Sequence, residues 1–155
     1  MCSRDPTVFG GSVNWNSMDV EPRFYEIDSY NIVNNMYYLS WMEMARLKVA
    51  RDAGLLVPRL YSEGIFFVVT EAHIHYENAV NFWDKVRIET VITKVEGSRM
   101  EFQHRVKSQM TKTRMATAQT SIICLKQGNV IPRMPEWMDQ KVEHYISETQ
   151  QGLQE

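Results

Sequence analysis

The stretch that decides the fold of this chain is Asp28-Ser29-Tyr30-Asn31-Ile32-Val33-Asn34-Asn35-Met36-Tyr37-Tyr38-Leu39-Ser40-Trp41. It begins as a polar turn and becomes the start of a helix, because asparagine is a preferred capping residue and neither proline nor glycine follows before Gly54. Apolar and aromatic residues then occur on most sides of the helix, which is typical of a helix that other structure surrounds. The stretch therefore predicts a long central helix over about Met36 to Asp52.

Segments with the pattern of β-strands lie on both sides of this helix. Before it, Val20 to Ile27 is predicted to be extended and to end at Asp28. After it we expect a short helix over Pro58 to Ser62, and later a C-terminal amphipathic helix from Pro135. Four strand-like runs lie between these two helices and are expected to form a meander: Phe66 to Tyr76, Lys85 to Val95, Arg99 to Ser108 and Met115 to Leu125.

The size and charge of the chain limit the classes of function. Its 155 residues allow one domain, and we expect a flexible lead-in over 1–19, the domain over 20–148 and a polar tail over 149–155. The 17 Lys and Arg residues against 19 Asp and Glu give a net charge of -2, which excludes a general attraction to nucleic acid. No apolar run approaches the roughly 20 residues of a membrane span.

The cysteines and the first residues bear on the compartment. Cys2 and Cys124 lie far apart, so neither a disulfide framework nor a cysteine metal site is expected. The start of the chain lacks the apolar segment of a secretory signal. We therefore expect a cytoplasmic location, with an organelle lumen or matrix as the alternative if a presequence has been removed.

The stretch from Asp28 to Trp41 resembles the signature of the 4-hydroxybenzoyl-CoA thioesterase family. In that family an Asp closes the first strand, a hydrophobic pair follows, and a turn rich in Asn, His or Tyr starts the central helix. The matching residues here are Asp28, Ile32, Val33, Asn35 and Tyr38. The resemblance continues through Glu43-Met44-Ala45-Arg46, Phe67 to Tyr76 and Pro132 to Trp137, so it covers about residues 20 to 140. It implies an α+β hotdog fold, in which an antiparallel sheet wraps around a long central helix.

The resemblance implies that Asp28 and Asn35 are catalytic. A thioester carbonyl develops negative charge during attack, and amide groups at a helix start favour that charge. The amide near Asn35 would polarise the carbonyl, while Asp28 would attack its carbon or take a proton from water. Substrate contacts are expected from Asn34, Tyr38 and Trp41, and from Arg99, which lies among basic residues suited to the phosphates of CoA.

Several of these residues have simpler interpretations. Asp28, Asn34 and Asn35 are also ordinary capping residues, and Trp41 is equally suited to core packing. Glu43 either orients water or forms a salt bridge with Arg46 on the same helix. His73 and His75 share one face of a strand, but nothing else completes a metal site, so neither a metal nor another cofactor is expected.

These features predict a thioester hydrolase that cleaves an acyl-CoA or acyl carrier protein thioester to a free acid and a thiol. Asn34-Asn35 is similar to the corresponding stretch of plastid acyl carrier protein thioesterases, which favours a fatty-acyl substrate. By resemblance the protein is a homodimer or homotetramer. The alternatives are a non-catalytic acyl-thioester-binding protein and an enoyl-thioester hydratase or dehydratase. The last is disfavoured because related hydratases have His five residues after the Asp, where this chain has Val33.

Overall fold

The computed structural model describes residues 13–150 of the chain. Its strands are β1 (Asn16–Val20), β2 (Ile65–Tyr76), β3 (Val86–Glu96), β4 (Arg99–Ser108), β5 (Arg114–Lys126) and β6 (Asn129–Val130). The helices are α1 (Tyr37–Asp52), α2 (Val57–Ser62) and α3 (Glu136–Thr149), and a 3-10 turn spans Phe24–Glu26. All strands join one antiparallel sheet in the spatial order β1-β3-β4-β5-β2, with β6 beside β5. Within this range, no helix has both the length and the apolar character needed to cross a membrane.

The central helix is the element that the sequence predicts best. α1 begins one residue after the expected start and ends at Asp52, before Gly54 at a φ of +84°. It buries one face, made of Tyr38, Trp41, Met42, Ala45 and Val49, against the sheet. A long helix on one antiparallel sheet confirms the predicted α+β hotdog fold. The expectation that structure surrounds the helix on all sides is wrong for a single chain, because Leu39, Met44 and Leu47 on α1 are exposed.

The first strand lies earlier than expected. β1 pairs with β3 from Asn16 opposite Thr90 to Val20 opposite Val86, whereas the extended segment was expected over residues 20–27. Pro22 has no N–H to donate to a ladder, so pairing ends before it and a 3-10 turn follows. The structured region therefore starts before residue 20, and residues 1–12 of the expected lead-in lie outside the described residues.

The last helix reaches the residue at which the polar tail was expected to begin. α3 continues to Thr149, inside the expected polar tail. The buried Gln150 side chain then donates to the Ile92 carbonyl at 2.6 Å and accepts from the Ile92 amide at 3.2 Å. These two bonds tie the end of α3 to β3, and residues 151–155 of the expected tail lie outside the described residues.

The expected meander is correct only for three of its four strands. β3, β4 and β5 follow one another, but β2 pairs with β5, with Phe67 opposite Cys124 and Tyr76 opposite Ala116. The long connection over residues 77–85 therefore crosses from one side of the sheet to the other. Within the described residues, the outer edge of β2 has no partner strand.

A polar group lies in the middle of the core between α1 and the sheet. His104 on β4 is fully buried, and its Nδ1 and Nε2 atoms each lie 2.9 Å from a threonine hydroxyl, those of Thr90 and Thr120. Burial, together with the nearby charge of Arg46, lowers the pKa of His104 from 6.5 to about 3. The ring is therefore neutral at physiological pH, with both nitrogens satisfied.

This lowered pKa predicts a loss of stability in mild acid. The unfolded chain takes up a proton on His104 near pH 6.5, but the folded chain does so only near pH 3, so stability present above pH 6.5 is lost as the pH falls. Between pH 6.5 and pH 5 the loss from this group is about 2 kcal/mol. Urea unfolding across this range should show a shallower pH dependence for His104→Gln than for the wild type.

The matched control is His144→Gln, because His144 is exposed on α3, away from β2. This variant should keep the pH dependence of the wild type. An unchanged slope in His104→Gln would show that this histidine is not the group that titrates on unfolding.

Candidate active site

The segment before α1 folds back on itself as a tight hairpin. Ile27 pairs with Val33, and the Asp28 amide donates to the Ile32 carbonyl at 2.9 Å. Asn31 within this turn has a φ of +62°, a left-handed conformation that asparagine adopts more readily than most residues. The hairpin places Asp28 at the beginning of a turn that leads directly into the central helix.

The Asp28 carboxylate makes a single hydrogen bond. Its Oδ1 atom accepts from the Tyr30 amide at 2.8 Å, which stabilises the turn and not the helix. Its Oδ2 atom has no hydrogen bond and no ion pair to any residue between 13 and 150. Each carboxylate oxygen has two lone pairs, so Asp28 can still accept a proton or attack a carbonyl carbon. The bond to the Tyr30 amide is the role of an ordinary turn-forming aspartate, and the carboxylate makes no bond to the start of α1 within residues 13–150.

Asn34 and Asn35 start the helix in different ways. The Asn34 side chain accepts from the Met36 amide and its carbonyl accepts from the Tyr37 amide, both at 3.1 Å. Asn35 has an exposed side chain, and its carbonyl accepts from the Tyr76 hydroxyl at 3.0 Å. No group in the described part of the chain accepts from the Asn35 amide. The side-chain oxygen and the carbonyl of Asn34 thus both accept from backbone amides, whereas the Asn35 amide is an available donor at a helix N-terminus.

A buried glutamate connects this turn to the helix. The Glu26 carboxyl group accepts from the Trp41 indole at 3.2 Å and from the Arg23 amide at 2.8 Å. The Glu26 carbonyl also accepts from the Asn34 amide at 2.8 Å. The sequence analysis missed Glu26, although a glutamate that shares a strand-like stretch with apolar residues was the available signal.

Tyr38 and Trp41 lie on the buried face of α1, and neither is exposed at the start of the helix. Both are almost fully buried, and the Tyr38 ring centre lies 5.1 Å from that of Trp41 and 5.0 Å from that of Tyr76. Burial raises the pKa of Tyr38 to about 12, so its hydroxyl stays protonated. In the single chain both side chains pack between α1 and the sheet, and their contact with substrate stays a prediction.

Arg99 lies far from this turn within the chain. In the register of the sheet, Arg99 lies at the same level as Val68 on β2. Tyr76, whose hydroxyl contacts the helix start, is eight residues further along β2, a distance of about 25 Å from Val68. The Arg99 guanidinium also lies 3.4 Å from both Glu71 and Glu101. The structure therefore does not bring Arg99 together with Asp28, and its contact with CoA stays a prediction.

The histidine pair on β2 does not form a metal centre with other residues. His73 and His75 are both exposed. Across residues 13–150, no group of three or more His, Cys, Asp or Glu side chains is arranged to hold a metal ion.

A cavity of about 110 Å³ lies between α1 and the sheet. It follows the later part of the helix, and neither Asp28 nor Asn35 lines it. Its walls are apolar except at Glu43 and Arg46, which lie nearest to the helix start. The small side chains of Ala50 and Ala53, at the end of α1, line part of the cavity. Their spacing along α1 was the signal for a gap beside the helix.

Comparison with known proteins identifies the family. The chain belongs to the Thioesterase-like superfamily, whose family model matches residues 22–142. Family and fold together define it as a hotdog-fold thioesterase. The hypothesis of resemblance drawn from the stretch around Asp28 is confirmed.

Individual relatives are similar over most of their length. The acyl-CoA thioester hydrolase YbgC of Escherichia coli is 25% identical over 111 residues, which cover 71% of this chain and 82% of that protein. Among solved structures, TT1821 of Thermus thermophilus has a TM-score of 0.78 and 23% identity, covering 84% of this chain and 98% of that one. The DHNA-CoA thioesterase of Staphylococcus aureus has a TM-score of 0.77 and 21% identity, with 88% and 91% covered. The two structures support the fold.

Proposed function

We propose that this thioesterase hydrolyses fatty-acyl thioesters of CoA or an acyl carrier protein, with Asp28 as the reacting carboxylate. Two observations support the proposal: within residues 13–150, Asp28 Oδ2 has no hydrogen-bond partner, and no group accepts from the Asn35 amide just before α1. A relative that is itself described as an acyl-CoA thioester hydrolase supports CoA as the carrier. A carrier protein presents the same pantetheine thioester, and both carriers fit this chemistry.

Two routes of thioester hydrolysis can use Asp28 and the Asn35 amide. In the first, an Asp28 oxygen bonds to the carbonyl carbon, the carbon–sulfur bond breaks, and water then hydrolyses the mixed anhydride. In the second, Asp28 takes a proton from water as that water attacks, and the proton passes to the departing thiolate. In both, the amide at Asn35 stabilises the negative charge on the carbonyl oxygen.

The apolar cavity supports an aliphatic acyl group. It begins beside Glu43, six residues after Tyr37, which is about 9 Å along the axis of α1. An acyl chain bound at the helix start and extended along α1 reaches the cavity at that distance. The proposal therefore places the carbonyl at the helix start and the chain between α1 and the sheet.

We further propose that two chains pair along β2. Its outer edge has no partner strand in residues 13–150, and Phe66, Val68 and Val69 are exposed on it. Exposed strand edges and apolar patches are normally covered in stable proteins. A symmetric dimer covers both β2 and the exposed apolar side of α1, and a tetramer adds a second pairing of such dimers.

The catalytic assignment predicts that Asp28→Asn loses thioesterase activity and keeps its fold. Asparagine retains the acceptor for the Tyr30 amide but cannot act as nucleophile or base. Thiol release from a panel of acyl-CoAs should fall about a hundredfold to ten-thousandfold. Circular dichroism should show an unchanged folded state.

Two further variants make this test specific. Asp84→Asn changes a carboxylate that also accepts from a backbone amide in a turn, at 2.7 Å from Asn81, and should keep full activity. Glu43→Gln tests the helix carboxylate. Normal turnover by Asp28→Asn, with loss in Glu43→Gln, would remove Asp28 from the mechanism.

The dimer proposal predicts the molar mass in solution. Sedimentation of the wild-type protein should give about twice or four times the mass of one chain. Val68→Lys places a charge on the β2 surface and should shift the protein towards the single-chain mass. A fully active wild-type monomer would contradict the proposal.

A further inference from the structure

The cavity beside α1 is polar at one end only. Glu43 and Arg46 line the end nearest the helix start, and the remaining walls are apolar, formed by Leu47, Val49, Ala50, Phe102, Ile122 and Val142 among others. Glu43 is exposed to solvent and Arg46 is partly exposed, so the two charged groups lie at the mouth of the cavity and not within its apolar part.

The Arg46 guanidinium is held in place by the buried polar group of the core. Its Nη1 atom donates to the Thr120 hydroxyl at 3.2 Å, and that hydroxyl also lies 2.9 Å from His104 Nε2. Thr90 completes the row at His104 Nδ1. His104, Thr90 and Thr120 are almost fully buried. One nitrogen of Arg46 is thus held by a chain of hydrogen-bonded side chains that runs across the sheet.

This anchor leaves most of the guanidinium without a partner. An arginine has five N–H groups, and the bond to Thr120 is the one hydrogen bond that Arg46 makes to residues 13–150. Glu43 attracts it electrostatically, but the two make no ion pair within 4.0 Å in that range, so the salt bridge considered from the sequence is absent there. Donors at the polar end of the cavity are therefore available to a ligand.

The chemistry of the two side chains indicates which ligand group fits. Arg46 offers donors, while Glu43 at the same end offers a carboxylate that repels an anion. A neutral oxygen satisfies both conditions, and a hydroxyl group can accept from Arg46 while donating to Glu43. A plain alkyl chain makes no hydrogen bond to the donors of Arg46, whereas an oxygen on the chain does.

We propose that Arg46 hydrogen-bonds a hydroxyl or keto oxygen carried on the acyl chain, so that this enzyme selects oxygenated acyl chains over plain alkyl chains. This inference rests on the proposed function and deepens it by naming the substrate class. Glu43 and Arg46 lie six and nine residues after Tyr37, about 9 and 14 Å along α1. The oxygen therefore lies towards the far end of a medium-length chain and not beside the thioester.

The test compares three CoA thioesters of equal chain length. They are dodecanoyl-CoA, a hydroxydodecanoyl-CoA with its hydroxyl beside the thioester, and one with its hydroxyl near the far end. The wild type should prefer the far-end hydroxyl over the plain chain by about tenfold to a hundredfold in kcat/KM, as expected for a hydrogen bond to a charged group. Arg46→Met should abolish this preference and still cleave dodecanoyl-CoA.

Control variants separate recognition from stability. Arg51→Met makes the same change at an exposed position of α1 and should keep the preference. Arg46→Lys keeps the charge, and Thr120→Val removes the anchor, so both should show an intermediate preference. These two variants keep the test decisive if Arg46→Met does not fold.

The outcomes distinguish this inference from the proposed function. Equal wild-type turnover of the three substrates, or an equal loss on all three in Arg46→Met, overturns the role of Arg46 and leaves the thioesterase assignment intact. Absence of thiol release from every substrate by the wild type overturns the proposed function and this inference with it.

Discussion

The hydrogen bonds of the buried Glu26 carboxyl group are the interaction on which the site depends. By accepting from Trp41 and from the Arg23 amide, Glu26 fixes the segment before Asp28 against the inner face of α1. The Glu26 carbonyl also accepts from the Asn34 amide, so Glu26 contacts the chain on both sides of the turn that contains Asp28.

The two faces of α1 have different surroundings in a single chain. Its inner face packs on the sheet through Trp41, Met42 and Val49, while its outer face and the β2 edge remain exposed in one chain. The cavity and the Arg46 side chain lie on the inner side, between α1 and the sheet. The proposed dimer surface lies on the outer side, at the exposed face of α1 and the β2 edge.

The sequence predicted the elements whose signal is local. α1 follows from its caps and its uninterrupted apolar pattern, and β4 begins and ends where expected. The position of β2 beside β5 could not be predicted, because pairing between distant strands leaves no local pattern. The burial of Tyr38 was not predicted, and both interpretations of Trp41 stayed open, because an aromatic residue on a helix suits a core and a ligand wall equally. Glu26, His104 and Arg46 depend on tertiary contacts that spacing along the chain does not encode.

The most direct test of the central claim is a crystal structure of the protein with an acyl-CoA analogue in which a methylene group replaces the thioester sulfur. The account predicts that the ketone oxygen lies about 2.7–3.2 Å from the Asn35 amide nitrogen. It also predicts that the ketone carbon faces the Asp28 carboxylate and that the acyl chain runs along α1. An acyl group bound elsewhere, with neither Asp28 nor the start of α1 in contact with the ketone, would contradict the account.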